Sequence, residues 1–415
     1  MIMLGARQVG KTWLMREFGK NEYSNVAYIN CDSEPLTREL FQSDYDIGRL
    51  LIGFQAITGQ SINKESTLII LDEIQETPRG LHSLKYFCEN APEYHVMAAG
   101  SLLGVTLAQH ESFPVGKVDI MHLYPMDFEE FLEAVGQHNL CDLMRNNDRQ
   151  LIDTFSTKLS ELLFQYYYVG GMPEVVNSFV KNADLIEVRK IQAAIIDAYR
   201  KDISKHTTKT ESVRIGQVLS SLPSQLAKEN KRFIYGVAKK GGRAADFELA
   251  IRWLVDAGLV YKVSRLSKVA VPLKFYEELD AFKLFFLDVG LLGCMSQVPA
   301  SLLLNPANTL NEFKGMLAEQ YVAQQLTCAG IELFYWSNER TPAELDFVIQ
   351  INDEAVPIEV KAGANVRGKS IARFVEQNPG KRGVRFSLLG YRQQDWLTNI
   401  PLYEVPFFAD TEINS

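Results

Sequence analysis

The sequence predicts an α/β protein: a parallel sheet covered on both faces by helices, then a helical stretch, then a second, smaller α/β unit. Three observations carry this. Short apolar runs at residues 1–4, 25–30, 67–71 and 94–99 alternate with helix-like segments, the order that builds a parallel sheet. The run at 67–71 (TLIIL) is apolar without alternation, as a strand buried on both faces must be. From about residue 305 the pattern changes to one amphipathic helix followed by strands.

The first run opens directly into Gly5-Ala6-Arg7-Gln8-Val9-Gly10-Lys11-Thr12, which fits G-x-x-x-x-G-K-[ST] without a mismatch. The glycines let backbone N–H groups turn inward around a polyphosphate. A lysine in the Lys11 position reaches the β- and γ-phosphates, and a threonine hydroxyl reaches Mg²⁺. The helix that follows adds the positive end of its dipole. ATP with Mg²⁺ is therefore the expected ligand. The strand ahead of Gly5 has at most four residues, so the expected site is open to solvent on the base side, with weaker ATP affinity than a site with a fuller strand. The loop stands where a signal peptide would, and a cytoplasmic location is expected.

The run at 67–71 ends in Asp72-Glu73. Apolar residues closed by an acid pair, 60 residues after a phosphate loop, form the Walker B pattern. Asp72 would support Mg²⁺, and Glu73 would orient and deprotonate the attacking water. The run at 94–99 leads into Gly100-Ser101, where Ser101 could touch the γ-phosphate or that water. A plain Gly-Ser turn reads equally well. In the stretch 123–132 (LYPMDFEEFL), Pro125 ends an extended segment, and Asp127 with Glu130 reads as a capping box.

Together, the phosphate loop, the L-D-E-I-Q strand end, A-G-S-L-L-G, L-Y-P-M-D-F-E-E-F-L and Gly170-Gly171-Met172-Pro173-Glu174 resemble a family of prokaryotic AAA-like ATPases with a C-terminal domain of unknown function. The resemblance covers essentially the whole chain. Members often carry an arginine where Lys117 follows Gly116, and lysine supplies charge without the planar fork.

Composition bounds the rest. The net charge of −8 argues against a chain coated all over in nucleic acid but leaves room for local basic surface. Residues 200–274, from Arg200 to Lys274, hold 16 Lys/Arg against 6 Asp/Glu. Residues 361–392, from Lys361 to Arg392, hold 8 against one. Both are candidate contacts for DNA or another nucleic acid, or solvated faces. The five cysteines are scattered without a C-x-x-C pair, against a disulfide scaffold or a zinc site. The best apolar stretch, 282–295, is broken by Lys283 and Asp288, so no membrane contact is expected.

Residues 137–200 read as helical, with Tyr166-Tyr167-Tyr168 as core; Arg200 could reach a phosphate from this lid. Residues 211–266 have a winged-helix outline, two helices about a short one and an extended strand. Acids at Asp246, Glu248 and Asp256 oppose reading a DNA groove, whereas Lys228, Lys231, Arg232, Lys239, Lys240 and Arg243 could meet a phosphate backbone.

Beyond residue 305, Glu319 lies on a helix, Asp346 on a strand and Glu359-x-Lys361 on the next. This order resembles the PD-(D/E)xK restriction-endonuclease-like core. Residues i and i+2 share a strand face, so Glu359 and Lys361 point the same way. Asp346 and Glu359 would bind Mg²⁺, which polarises a scissile phosphate, and Lys361 would orient water. Arg367, Lys369 and Arg373 follow as a basic run. The alternatives are a domain that binds without cutting, and a surface salt-bridge set around Glu359 and Lys361.

The expected organisation is an ATPase domain at 1–135, a helical lid at 136–205, a winged-helix-like module at 206–275, a linker at 276–304 and a restriction-endonuclease-like domain at 305–415. The expected function is Mg²⁺-dependent ATP hydrolysis acting as a switch on a nuclease-like C-terminal domain. The alternative is an ATP-dependent regulator or protein-interaction adaptor with an inert C-terminal domain. A protein partner or a homo-oligomer fits either.

Overall fold

The structure, a computed structural model, describes residues 1–109, 116–228, 231–304, 311–338, 343–363, 369–378 and 382–408. The chain divides into two compact units, Met1–Tyr124 with Trp253–Leu259, and Pro125–Arg252 with Val260–Ser415.

The first unit runs β1 (Ile2–Leu4), α1 (Lys11–Glu22), β2 (Asn25–Asn30), α2 (Pro35–Ser43), α3 (Ile47–Thr58), β3 (Thr67–Asp72), α4 (Pro78–Asn90), β4 (His95–Ala99), α5 (Leu103–Gln109) and β5 (Ile120–His122). The strands form one sheet in the order β2-β3-β4-β1-β5, and every pairing is parallel. Alternation along β3 splits the core in two. Ile69 and Leu71 join Phe54 and Phe87 on one face; Leu68 and Ile70 join Met3, Met15 and Met97 on the other. Helices on both faces explain the unbroken apolar run.

The second unit begins with α6 (Phe128–Ala134), α7 (His138–Arg145), α8 (Arg149–Thr154), α9 (Ser156–Val169), α10 (Pro173–Asn182), α11 (Leu185–His206), α12 (Lys209–Leu226), α13 (Tyr235–Ala238) and α14 (Ala244–Asp256), whose end counts with the first unit. The capping box read at Asp127 and Glu130 starts α6, and Thr208 with Glu211 forms a second one at α12. Tyr166 and Tyr167 are fully buried, with Tyr166 edge-on to Phe128, Phe131 and Tyr321.

There follow β6 (Val260–Leu266), β7 (Glu277–Phe286), α15 (Val289–Met295), α16 (Ala300–Leu303), α17 (Asn311–Cys328), β8 (Phe334–Ser337), β9 (Glu344–Ile351), β10 (Glu354–Lys361), α18 (Lys369–Gln377), β11 (Gly383–Ser387), β12 (Arg392–Gln393) and β13 (Leu397–Pro401). The strands form a mixed sheet in the order β12-β13-β11-β10-β9-β8-β6-β7. The helix, short helix, helix and extended strand read from 211–266 are present as α12, α13, α14 and β6, and β6 forms a hairpin with β7. The hairpin, however, is part of the eight-stranded sheet, because β6 also pairs in parallel with β8. The stretch read as a linker, 276–304, holds β7, α15 and α16, and Phe282–Phe286 of β7 are buried.

Gly170-Gly171 has a steric cause. Asp288 caps α15 and is fully buried; its carboxylate accepts from Gly171 N at 2.7 Å and Leu291 N at 2.8 Å. Gly170 has φ +75°, and a Cβ there would sit 2.2 Å from Asp288 Oδ1. At Gly171 a Cβ would meet Met126 O at 1.9 Å.

Candidate functional site

The phosphate loop is shaped by its backbone. Gln8 and Gly10 have φ of 67° and 100°, and Gly10 caps α1. A Cβ at Gly5 would lie 2.2 Å from Leu123 O, so only glycine fits. Gly258, at the end of the strip Trp253–Leu259, lies alongside: a Cβ there would be 3.4 Å from Ala6 N. Ala6 and Val9 are buried, and Arg7 is exposed.

Lys11 is only 7% exposed, and its Nζ donates to Gly5 O at 2.8 Å and Ala6 O at 2.7 Å. Burial lowers its pKa to about 8, although Glu73 and Asp72 pull it upward. A buried ammonium held on neutral carbonyls suits an anionic ligand.

Asp72 is 4% exposed and satisfied by three donors. Its Oδ2 accepts from Thr12 Oγ1 at 2.7 Å and from Tyr28 OH at 2.9 Å, and its Oδ1 from Glu73 N at 3.0 Å. Glu73 takes a left-handed backbone, φ 52°, which turns its side chain toward β4. There its Oε2 accepts from Ser101 N and Ser101 Oγ, both at 3.1 Å, and from Gln75 Nε2 at 2.6 Å. Burial pushes the Glu73 carboxyl up, but the bonds from Gln75 and Ser101 and the charge of Lys11 outweigh it and hold the pKa below the ordinary value. Gly100 makes room for this arrangement, since a Cβ there would lie 1.8 Å from Gln75 Oε1.

The structure thus brings Lys11, Thr12, Asp72, Glu73 and Ser101 together at the carboxyl edge of the parallel sheet. The donors fit Mg²⁺: a hydroxyl and a carboxylate, hard oxygens beside a phosphate loop that would supply the remaining ligands through nucleotide and water. Tyr28 and Gln75 were not expected in the site. Strand parity was the available signal for Tyr28, which pairs with Ile70 while Asn30 pairs with Asp72, so Tyr28 shares a face with the acid. Lys117 pairs with Glu89 at 3.2 Å, and Arg200 with Asp197 at 3.0 Å.

The four residues singled out in the C-terminal part also converge. Phe347 of β9 pairs with Ile358 of β10, which sets Asp346 beside Glu359. Asp346 Oδ2 accepts from Val360 N at 2.7 Å. Its pKa is pushed up to about 7 by burial and by Glu319, against Lys283, Lys361 and Lys231. Glu359 is met by Lys361 at 3.3 Å and by Arg385 at 3.2 Å. Two lysines not anticipated here complete the set: Lys231 pairs with Glu319, and the fully buried Lys283 pairs with Glu344. Against burial, Lys231 and Lys283 hold Glu319 below the ordinary carboxylate range. Among the described residues, no group of three or more His, Cys, Asp or Glu side chains could hold a metal ion.

Many charges of the two basic segments are spent internally. Arg265 pairs with Glu278, Lys274 with Glu332 and Glu277, Arg214 with Asp246, and Arg385 with Glu359. Lys228, Lys239, Lys240 and Arg243 are exposed. Arg367 lies outside the described residues, as does the side chain of Lys369. Among the described residues no helix is long and apolar enough to cross a membrane.

Residues 1–132 match the family model of an AAA domain, residues 160–302 a domain of unknown function (DUF8612), and residues 314–405 a second one (DUF4143). With the loop and sheet above, the match makes the N-terminal part a P-loop ATPase domain of the AAA type. Among solved structures, the chain is similar to the Walker-type ATPase PABY2304 of Pyrococcus abyssi, at 14% identity and TM-score 0.42, over 71% of this chain and 90% of that one. It is also similar to Cdc6p from Pyrobaculum aerophilum, at 11% identity and TM-score 0.24, over 73% and 86%. No curated protein matches the chain.

Proposed function

We propose that the chain binds ATP with Mg²⁺ at the phosphate loop and hydrolyses it, and that turnover acts as a switch on the C-terminal part, which holds nucleic acid or a protein partner. One observation carries the hydrolytic reading: the hydrogen-bonded path from Thr12 through Asp72 to Glu73 and Ser101. Loop N–H groups and Lys11 would grip the phosphates. Thr12 and Asp72 would hold Mg²⁺, which when bound neutralises charge on the β- and γ-phosphate oxygens. Glu73 would take the proton of the attacking water, with Ser101 and Gln75 fixing its direction.

For the C-terminal part, the nuclease-like reading gives Asp346 and Glu359 to a metal and Lys361 to a water, with Glu319 in support. Lys231 and Lys283 favour the second reading, a domain that binds without cutting, because they balance the carboxylates without a metal.

Phosphate release and ATP binding, measured on the native chain and on Glu73→Gln, test the first part. Binding survives and turnover falls by about 100-fold or more; equal turnover in the two refutes it. Mg²⁺-dependent nicking of DNA that disappears in Asp346→Ala would restore the cutting reading.

A further inference from the structure

We infer that Tyr28 is a positioning residue of the nucleotide–metal site, holding Asp72 aimed at the hydroxyl of Thr12. The inference rests on the ATP-binding reading above. In a phosphate loop the threonine oxygen must turn a lone pair to the metal while its O–H donates to the neighbouring carboxylate. That arrangement requires the accepting oxygen of Asp72 to stay in place.

Three hydrogen bonds hold it. Oδ1 is fixed by the backbone of Glu73, while Oδ2 is shared between two hydroxyls, Thr12 at 2.7 Å and Tyr28 at 2.9 Å. Tyr28 is the one of these partners that belongs neither to the loop nor to the acid pair. A carboxylate with a single hydroxyl on Oδ2 can rotate away from Thr12, and a second donor from the adjacent strand opposes that rotation.

The phenol is itself held. Thr12 and Arg16 are four residues apart on α1, so they share a face of that helix. Arg16 lays its guanidinium 3.6 Å from the centre of the Tyr28 ring. The pair Thr12/Arg16 thus spans Tyr28 and Asp72, one side chain bonding the acid and the other covering the ring. Tyr28 donates a neutral hydroxyl, so it orients Asp72 without neutralising the charge that a cation needs.

Tyr28→Phe removes only the oxygen and leaves the ring under Arg16. The test compares ATP affinity of the full chain by calorimetry, with Mg²⁺ and with EDTA. In Tyr28→Phe, metal-free ATP binds as in the native chain, while the gain in affinity from Mg²⁺ shrinks by about three- to tenfold. Arg16→Met, which loosens the ring but keeps the hydroxyl, shifts the same ratio the same way by less, and serves if the phenylalanine variant folds poorly. An unchanged Mg²⁺ gain in both variants overturns the role of Tyr28 and leaves ATP binding standing. Equal loss with and without Mg²⁺ assigns Tyr28 to fold alone and also overturns it. If the native chain binds no ATP under either condition, the ATP reading fails first and this one with it.

Discussion

Replacing Lys11 by methionine should abolish phosphate binding and yet make the first unit more stable at neutral pH. The lysine is almost wholly buried, and its pKa of about 8 lies below the ordinary 10.5. At about 1.4 kcal/mol per pH unit, keeping the charge in the fold costs about 3 kcal/mol at pH 7. Methionine avoids that cost but leaves Gly5 O and Ala6 O without their donor, a loss of about 0.5–1.5 kcal/mol each. The net is about 1 kcal/mol in favour of Lys11→Met at pH 7. The sign reverses with alkali. Between pH 8 and 10.5 the unfolded chain keeps the lysine proton and the folded chain sheds it, so native stability rises with pH. The methionine variant lacks this gain, and its advantage falls by about 3 kcal/mol across the window. Urea unfolding can follow this in a Trp336→Phe/Trp396→Phe background, where Trp13 and Trp253 remain as reporters of the first unit. A stability difference that stays flat from pH 7 to 10.5 refutes the reasoning.

Two further outcomes follow from the second unit. Gly170→Ala forces a Cβ to within 2.2 Å of Asp288 Oδ1 at a positive φ, and should lower stability by about 3 kcal/mol or more in denaturant titrations. Lys231→Met strips the buried Glu319 of its partner and should destabilise by about 3–5 kcal/mol; Lys231→Met/Glu319→Gln should recover part of that loss, which a double-mutant cycle would measure.

What was legible in the sequence was whatever is local. The phosphate loop, the apolar strand ending in Asp72-Glu73 and the capping box at Asp127 each follow from a few adjacent residues, and each appears where the spacing put it. Glu319, Asp346, Glu359 and Lys361 were singled out from their order along the chain. Their counter-ions were not: Lys231 meets a partner 88 residues away and Lys283 one on β9, and no periodicity encodes such pairs. Gly170-Gly171 was visible as a motif, but its causes, the carboxylate of Asp288 at Gly170 and the carbonyl of Met126 at Gly171, lie far off along the chain. The strand β6 was read as part of a small module, and β7 as linker, because the local pattern ends at β6. Its place in the larger sheet depends on β8, which begins at Phe334, far beyond the window that pattern reading covers.

The strip Trp253–Leu259 has a practical consequence for dissecting this protein. The contiguous segment that matches an AAA domain stops at residue 132, but the folded body around the phosphate loop includes seven residues from more than a hundred positions later. An expression fragment cut at that sequence boundary would lack Gly258 beside Ala6 and the end of α14, whose Asp256 carbonyl lies so close to Gly104 that a Cβ there would sit 2.1 Å away. Supplying residues 253–259 in trans, or splicing them after residue 124 through a flexible connection, would be the way to isolate the nucleotide-binding body as the fold defines it.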